Sequence, residues 1–518
     1  MEKETKFMEV ASMEKNFEGL LQDFQELVHK IKYYNEALAV IFWDLRTGAP
    51  KKGVPGRAKV IGMLSTEAFR LSTSQEMGDY LSYFEQKDNF SKLDPIYRAI
   101  IEECRKEYDR SKKIPEAMYK EYVILTSEAE SVWEEAKNTD NFSMFSPYLE
   151  KIVDFNIKFI DLWGFKDNKY DTLLDYYEPG MTVEKLDRIF EQLRERIVPL
   201  VQKIKDSSYK PDDSMFFRNC YDTARQEEFS LMILDKMGYS FDAGRLDVSE
   251  HPFTIGMTPG DVRITTHYYP DNFSSALFSS IHEGGHALYE QNINIELEDT
   301  PLGTGTSMGI HESQSRFWEN IIGRSYNFWS CYYEDLKKIF PEEFKSVSLE
   351  DFYKAINKVE PSLIRVEADE VTYNLHIMIR YEIEKALINK EVKVADLPRI
   401  WKEKMKEYLG IEPKNDKEGV LQDVHWAGGS FGYFPSYTLG NIYSAQIYHT
   451  LRKQFSNFDE LIKKGELTKL KDWLGENIHR HGKLLTPAEI LKSVTGEEIN
   501  SGYLIDYLES KYKEIYNL

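Results

Sequence analysis

Residues 274–292 read SSALFSSIHEGGHALYEQN, and their spacing sets how the rest of the chain is read. Apolar residues recur at helical intervals, and Asp271 or Asn272 stands where a side chain can cap the first turn. His282 and His286 lie four apart inside this predicted helix, so both imidazoles project from one face and can reach a single ion. Glu283 follows the first histidine, placed to reach a water on that ion as general base rather than to bind the ion. Gly284 and Gly285 each cost a helix interior about 1 kcal/mol relative to alanine. That cost makes sense where a substrate backbone or another strand passes close. Ala287 and Leu288 on the other faces predict a buried helix, where unpaired histidines would be expensive.

A catalytic zinc keeps three protein ligands and one open position. The extended pattern with a third histidine on the same segment would need glycine at 289 and histidine at 292, but Tyr289 and Asn292 stand there. Downstream carboxylates are Glu290, Glu296, Glu298 and Glu312. Glu290 is one turn beyond His286 but displaced from the direction the imidazoles need. Glu296, Glu298 and Asp299 form an acidic loop before Pro301 that reads as solvated. Glu312 opens HESQSRFWENIIG, a predicted amphipathic helix with Phe317, Ile321 and Ile322 inward. A ligand on a second packed helix is held more firmly than one on a loop, so Glu312 is the expected third ligand.

Outward from this segment most of the chain reads as helix. Apolar residues recur at three- and four-residue steps from about Met13 to Leu45 and from Val183 to Ile204. Asp396 to Gly410 is another helix, with Gly410 as its C-terminal signal. Thr486-Pro487-Ala488-Glu489 is a capping box, and that helix should stop near Gly496. One stretch differs: His251 to Tyr269, HPFTIGMTPGDVRITTHYY, where Pro-Gly marks a turn and the β-branched run after it reads as a short strand. The expected fold class is mainly α, one catalytic unit over 1–518 with two lobes and a small sheet beside the site. The glycines from Gly303 to Gly309 lack the third glycine of a dinucleotide fingerprint, and no phosphate-loop lysine follows. His479-Arg480-His481 reads as a charged, solvent-facing patch rather than a metal site.

The 518 residues are 42% hydrophobic and 30% charged, which excludes wholesale disorder. A net charge of −21 argues against a general nucleic-acid binder, which needs a basic face. Cys104, Cys220 and Cys331 form no CxxC pair, so neither a disulfide framework nor a cysteine-built zinc site is expected. The opening MEKETKFMEV has no apolar signal core, and the best apolar run, Ala37 to Trp43, is too short to span a membrane. The expectation is a cytoplasmic protein without a membrane or nucleic-acid partner.

HEGGHALYE and GIHESQSRFWEN together resemble the carboxypeptidase Taq family of zinc metallocarboxypeptidases. The likeness extends to His251-Pro252-Phe253, to Asp261-Val262-Arg263-Ile264-Thr265, to Ile364-Arg365-Val366-Glu367-Ala368-Asp369, and to GVLQDVHW from Gly419 to Trp426. These motifs run in order from about 251 to 441. The resemblance implies His282, His286 and Glu312 as ligands of Zn2+, with Co2+ as a possible substitute, and Glu283 as acid/base. It implies a helical, deep-grooved fold like neurolysin and angiotensin-converting enzyme, and a homodimer. The implied activity is release of single C-terminal amino acids from peptides with a free C-terminus, broad in side chain and poor at proline. The alternatives are an endo-acting or dipeptide-releasing oligopeptidase on the same scaffold, or a non-catalytic peptide-binding helical scaffold. Related helical zinc peptidases place a tyrosine and a histidine after the metal helices, which makes Tyr433, in preference to Tyr437, and His425 the candidates for oxyanion donors. A free carboxylate is best read by a planar guanidinium, so Arg263 and Arg365 are the substrate-binding candidates. His251 is a further substrate contact, and Asp423 is expected to orient His425.

Overall fold

Side-chain caps start several of the helices that build the site in the computed structural model, which describes residues 16–218 and 220–518. Asn16 accepts from the Gly19 amide to open α1 (Phe17–Thr47); the start expected near Met13 lies outside the described residues. Thr182 caps α2 (Val183–Asp206), whose Leu186, Ile189, Phe190, Leu193 and Ile197 form one buried stripe. Then come α3 (Thr223–Met237), α4 (Phe273–Gln291) and the short α5 (Met308–Arg316). Asn272, not Asp271, caps α4 by accepting from the Ser275 amide. Farther on lie α6 (Tyr373–Ile388), α7 (Leu397–Leu409, closed by left-handed Gly410), α8 (Pro435–Gln454) and α9 (Pro487–Thr495). The last of these has both halves of the expected capping box and ends on Gly496. The fold is mainly α. Among the described residues no helix is long and apolar enough to cross a membrane.

The sheet has three strands: β1 (Leu246–Val248), β2 (Thr254–Thr258) and β3 (Asp261–Thr266), in the order β1-β3-β2. Only β3 matches the strand read from the sequence. β2 pairs antiparallel with it across Pro259-Gly260, Thr254 opposite Ile264, and β1 pairs parallel. Three-residue β1 and glycine-containing β2 are too short to carry an alternation that sequence reading can see. Val262 and Ile264 are buried, and Thr266 Oγ1 lies 2.7 Å from Ser279 Oγ of α4, so this face of β3 packs on the histidine-bearing helix.

The two helical glycines have a packing reason. A Cβ on Gly285 would stand 2.7 Å from the Gln314 carbonyl and the Ser315 Cα of α5, and one on Gly284 would meet Leu234 and Met237 of α3. On the opposite side of α5, a Cβ on Gly440 of α8 would sit 2.6 Å from Glu312 Cγ. The segment passing close is therefore another helix. Glycines let α4 and α8 close on α5 to a separation at which Glu312 faces the two histidines.

Candidate metal centre

His282, His286 and Glu312 offer one ligand atom each, all within 4.8 Å of one another. Glu312 Oε2 lies 3.4 Å from His286 Nε2 and 3.7 Å from His282 Nε2. Donors bound tetrahedrally to zinc at about 2.0–2.1 Å stand about 3.3 Å apart, so this donor set fits a divalent zinc-sized ion. Glu312 Oε1 accepts from Arg316 Nε at 2.6 Å, and Ser315 Oγ donates to Oε2 at 3.1 Å. Burial would raise the Glu312 pKa, but the Arg316 charge and the two histidines outweigh it and hold the carboxyl well below the usual range.

The histidines are held by different partners. His282 Nδ1 lies 2.9 Å from Glu319 Oε2; a carboxylate only accepts, so Nδ1 carries the proton and Nε2 presents its lone pair. Glu319 reaches it from a π-helical turn, Phe317–Ile322, that continues α5, and is anchored by Arg316 and Arg324. His286 Nδ1 instead lies 2.7 Å from Nδ1 of His311. Burial lowers His286 to about 4, whereas for His282 the charges of Glu312 and Glu319 overcome burial and raise it.

Glu283 is buried, and its Oε2 accepts from Thr254 Oγ1 of β2 at 2.5 Å. Burial raises its pKa, against the pull of His282 and Thr254. A buried carboxylate raised in this way is a stronger proton acceptor than an exposed one. Glu290 turns away from the triad, as its spacing implied, and accepts from His311 Nε2 at 2.8 Å.

His425, Tyr433 and Tyr437 come together: the His425 ring lies 5.6 Å from Tyr433 and 6.2 Å from Tyr437, and His425 Nε2 is 3.3 Å from the Tyr437 hydroxyl. Burial lifts the Tyr433 hydroxyl to about 12, and the Glu312 charge adds to the shift. The loop bearing His425 and Tyr433 is tied down by Glu384 of α6, which accepts from Trp426 Nε1, the Gly432 amide and Tyr170 Oη. Asp423 does not hydrogen-bond His425. Its oxygens serve two arginines, Arg365 (Nε, 2.9 Å) and Arg380 (Nε, 2.7 Å).

The two candidate arginines differ. Arg365 is buried and ignores its sequence neighbours Glu367 and Asp369; its Nη1 donates to Tyr373 Oη at 3.0 Å, and the Tyr373 ring covers Arg316 at 4.5 Å. It is thereby two side chains from Glu312. Arg263 sits between Val262 and Ile264, so strand alternation turns it to the face away from α4. There it makes two bonds to Asp261, lies over the Trp43 ring and lines a 760 Å3 recess with Arg57 and Arg245. None of the triad lines that recess. His251 is exposed in the loop before β2, its carbonyl accepting from Ser249 Oγ.

Sequence reasoning did not find Glu319, His311, Arg316, Tyr373 or Arg380. Arg316 had a usable signal, one turn beyond Glu312 on the same helix, whereas Glu319 lies on the π-helical turn that follows. The solvent-facing reading of His479 is corrected. It is fully buried, its Nε2 lies 2.8 Å from Gln314 Oε1 on α5, and its ring packs 5.0 Å from Tyr289. A turn flanked by charged residues tucks the imidazole inward while Arg480 stays outside.

The family model described as carboxypeptidase Taq (M32) metallopeptidase matches residues 23–512. Carboxypeptidase 1 of Bacillus subtilis (strain 168) is 51% identical, over 96% of this chain and 99% of the relative. Thermostable carboxypeptidase 1 of Thermus thermophilus is 41% identical, also over 96% and 99%. Among solved structures, M32 carboxypeptidase from Deinococcus radiodurans R1 superposes with a TM-score of 0.93 at 33% identity, covering 96% of this chain and all of that one. Pyrococcus furiosus carboxypeptidase superposes with a TM-score of 0.92 at 37% identity, over 96% of this chain and 99% of that one. The motifs, the fold and these likenesses agree: the chain belongs to the carboxypeptidase Taq (M32) family and is a metallocarboxypeptidase, a peptide hydrolase.

Proposed function

We propose that this enzyme uses zinc, with cobalt as a possible substitute, to release single amino acids from the free C-terminus of peptides, broadly except at proline. His282, His286 and Glu312 would hold the ion. A bound zinc ion supplies a Lewis acid and acidifies water at neutral pH. Glu283, steadied by Thr254, takes the proton of the attacking water and returns it to the leaving amine. Tyr433 and His425 stand ready to donate to the developing oxyanion. Thr254 lies on β2, next to Phe253 of the His251 motif, so that loop borders the same side of the site.

The observation that carries the exo-acting reading is the Arg365–Asp423–Arg380 cluster. Two guanidinium groups share Asp423, so Arg365 has no carboxylate to itself, and Tyr373 links that cluster to the metal centre. This favours Arg365 over Arg263, whose charge is matched by Asp261. A single catalytic unit, supported by the family match over most of the chain, belongs to the same proposal. So does a cytoplasmic location, which the three unpaired cysteines favour. A homodimer rests on the family resemblance.

The test compares one peptide with a free and an amidated C-terminus. Amidation should lower kcat/KM roughly 10- to 100-fold, the loss of a charge-assisted hydrogen bond. Arg365→Met should lower kcat/KM on the free acid by a similar factor and leave the amide unchanged. Asp423 keeps Arg380 in that variant, so no buried carboxylate is orphaned. Equal turnover of acid and amide by the wild type would contradict an exo-acting enzyme.

A further inference from the structure

The two metal-side histidines are supported by unlike devices, and the less usual one runs through a third histidine. Glu290 is a buried carboxylate whose Oε1 accepts from His311 Nε2 (2.8 Å), the Gly305 amide (3.1 Å) and Thr304 Oγ1 (3.3 Å). Because a carboxylate only accepts, His311 Nε2 carries a hydrogen. The Nδ1 of a neutral His311 is then a bare acceptor, 2.7 Å from His286 Nδ1. His286 must donate there from Nδ1, which leaves its Nε2 as a lone pair facing Glu312 Oε2 at 3.4 Å. With both imidazoles neutral, each proton in the chain follows from the carboxylate end. The opposite arrangement, with a hydrogen on His286 Nε2, would leave that nitrogen unable to ligate.

The ring of His311 has little freedom to abandon this geometry. It packs 5.0 Å from the Tyr289 ring, and a Cβ on Gly305 would stand 2.6 Å from His311 Cδ2. Gly256 of β2 closes over the far oxygen: its Cβ would lie 2.8 Å from Glu290 Oε2. The glycine-rich stretch from Gly303, which binds no nucleotide by its pattern, thus approaches His311 and Glu290 at backbone distance.

We infer that His311, held by Glu290 and the Gly305 loop, is a positioning residue that fixes His286 in its metal-binding tautomer. It does for His286 what Glu319 does directly for His282. This inference rests on the metal-site reading above.

The experiment measures zinc affinity of the metal-stripped full-length protein by competition with a chromophoric chelator, together with the visible absorption spectrum of the cobalt-loaded protein. His311→Leu removes both hydrogen bonds and should weaken zinc binding roughly 10- to 100-fold, as loss of such an outer partner does, with an altered cobalt spectrum. His311→Gln can accept from His286 through its carbonyl and donate to Glu290 through its amide, so it should recover most of that loss. Glu290→Gln keeps the shape and removes the charge, and should give a smaller weakening; this variant serves if His311→Leu fails to fold. Unchanged zinc affinity and spectrum in His311→Leu, or a His311→Gln as weak as the leucine variant, would overturn the inference alone. A wild type that takes up no zinc would overturn the metal reading and this inference with it.

Discussion

Two buried clusters of charge meet at Tyr373, one dominated by carboxylates and the other by guanidinium groups. Around the metal centre, Glu283, Glu290, Glu312 and Glu319 are accompanied by two arginines, Arg316 and Arg324. That leaves two formal negative charges, the complement of a divalent cation. On the other side of the ring, Arg365 and Arg380 share Asp423, two guanidinium groups on one carboxylate. Buried charge is costly unless matched. The difference is what the proposed function asks for: an acidic surplus where the metal would sit, and guanidinium groups sharing a carboxylate where the proposal places the end of the peptide.

The largest break in that picture should come from Glu283→Gln, which removes the proton carrier while keeping its shape. We expect kcat to fall about 10^2- to 10^4-fold, the usual contribution of general acid–base catalysis, with zinc affinity retained. Equal activity in both proteins would show that Glu283 is not the base.

A smaller effect sharpens the comparison through a carboxylate that has no cation. Glu178 accepts from Tyr443 Oη and the Gly309 amide, and burial raises it to about 7, whereas Arg316 keeps Glu312 ionised. Its pKa is higher folded than unfolded, so the native state holds its proton more tightly. Its stabilisation is therefore full at low pH, declines as pH rises from about 4.5 towards 7, and changes no further above that. At about 1.4 kcal/mol per pK unit the decline over this shift amounts to at most about 3.5 kcal/mol. Glu178→Gln keeps a carbonyl for Gly309 and should flatten the pH dependence of unfolding free energy between about pH 4.5 and 7. An unchanged slope would assign it to other groups.

Local features of the site were legible and non-local ones were not. His282, Glu283 and His286 share a helical turn, and Glu312 sits within a short helix of its own, so local spacing brought them forward as candidates. The reading of Gly284 and Gly285 as a close approach was right in kind, though the neighbour is a helix. Arg365 shows the limit: its sequence neighbours are acidic, yet it pairs with Asp423, 58 positions away. Arg263, whose partner is two positions away, paired as its neighbourhood suggests. Glu319 is reached through a π-helical turn that no apolar period announces, and His479 is buried by a turn whose composition is charged. Side-chain pairing across elements depends on how close the backbones come, which glycines at 285 and 440 set here.

The central claim is that Glu312 completes a metal site with His282 and His286. Calorimetric titration of the metal-stripped full-length protein with zinc tests it most directly. The wild type should take up one tight equivalent, and Glu312→Gln should bind about a hundred-fold more weakly or worse, beyond the loss of an outer partner. A Glu312→Gln protein that binds zinc as tightly as the wild type, or a wild type that binds none, would contradict it.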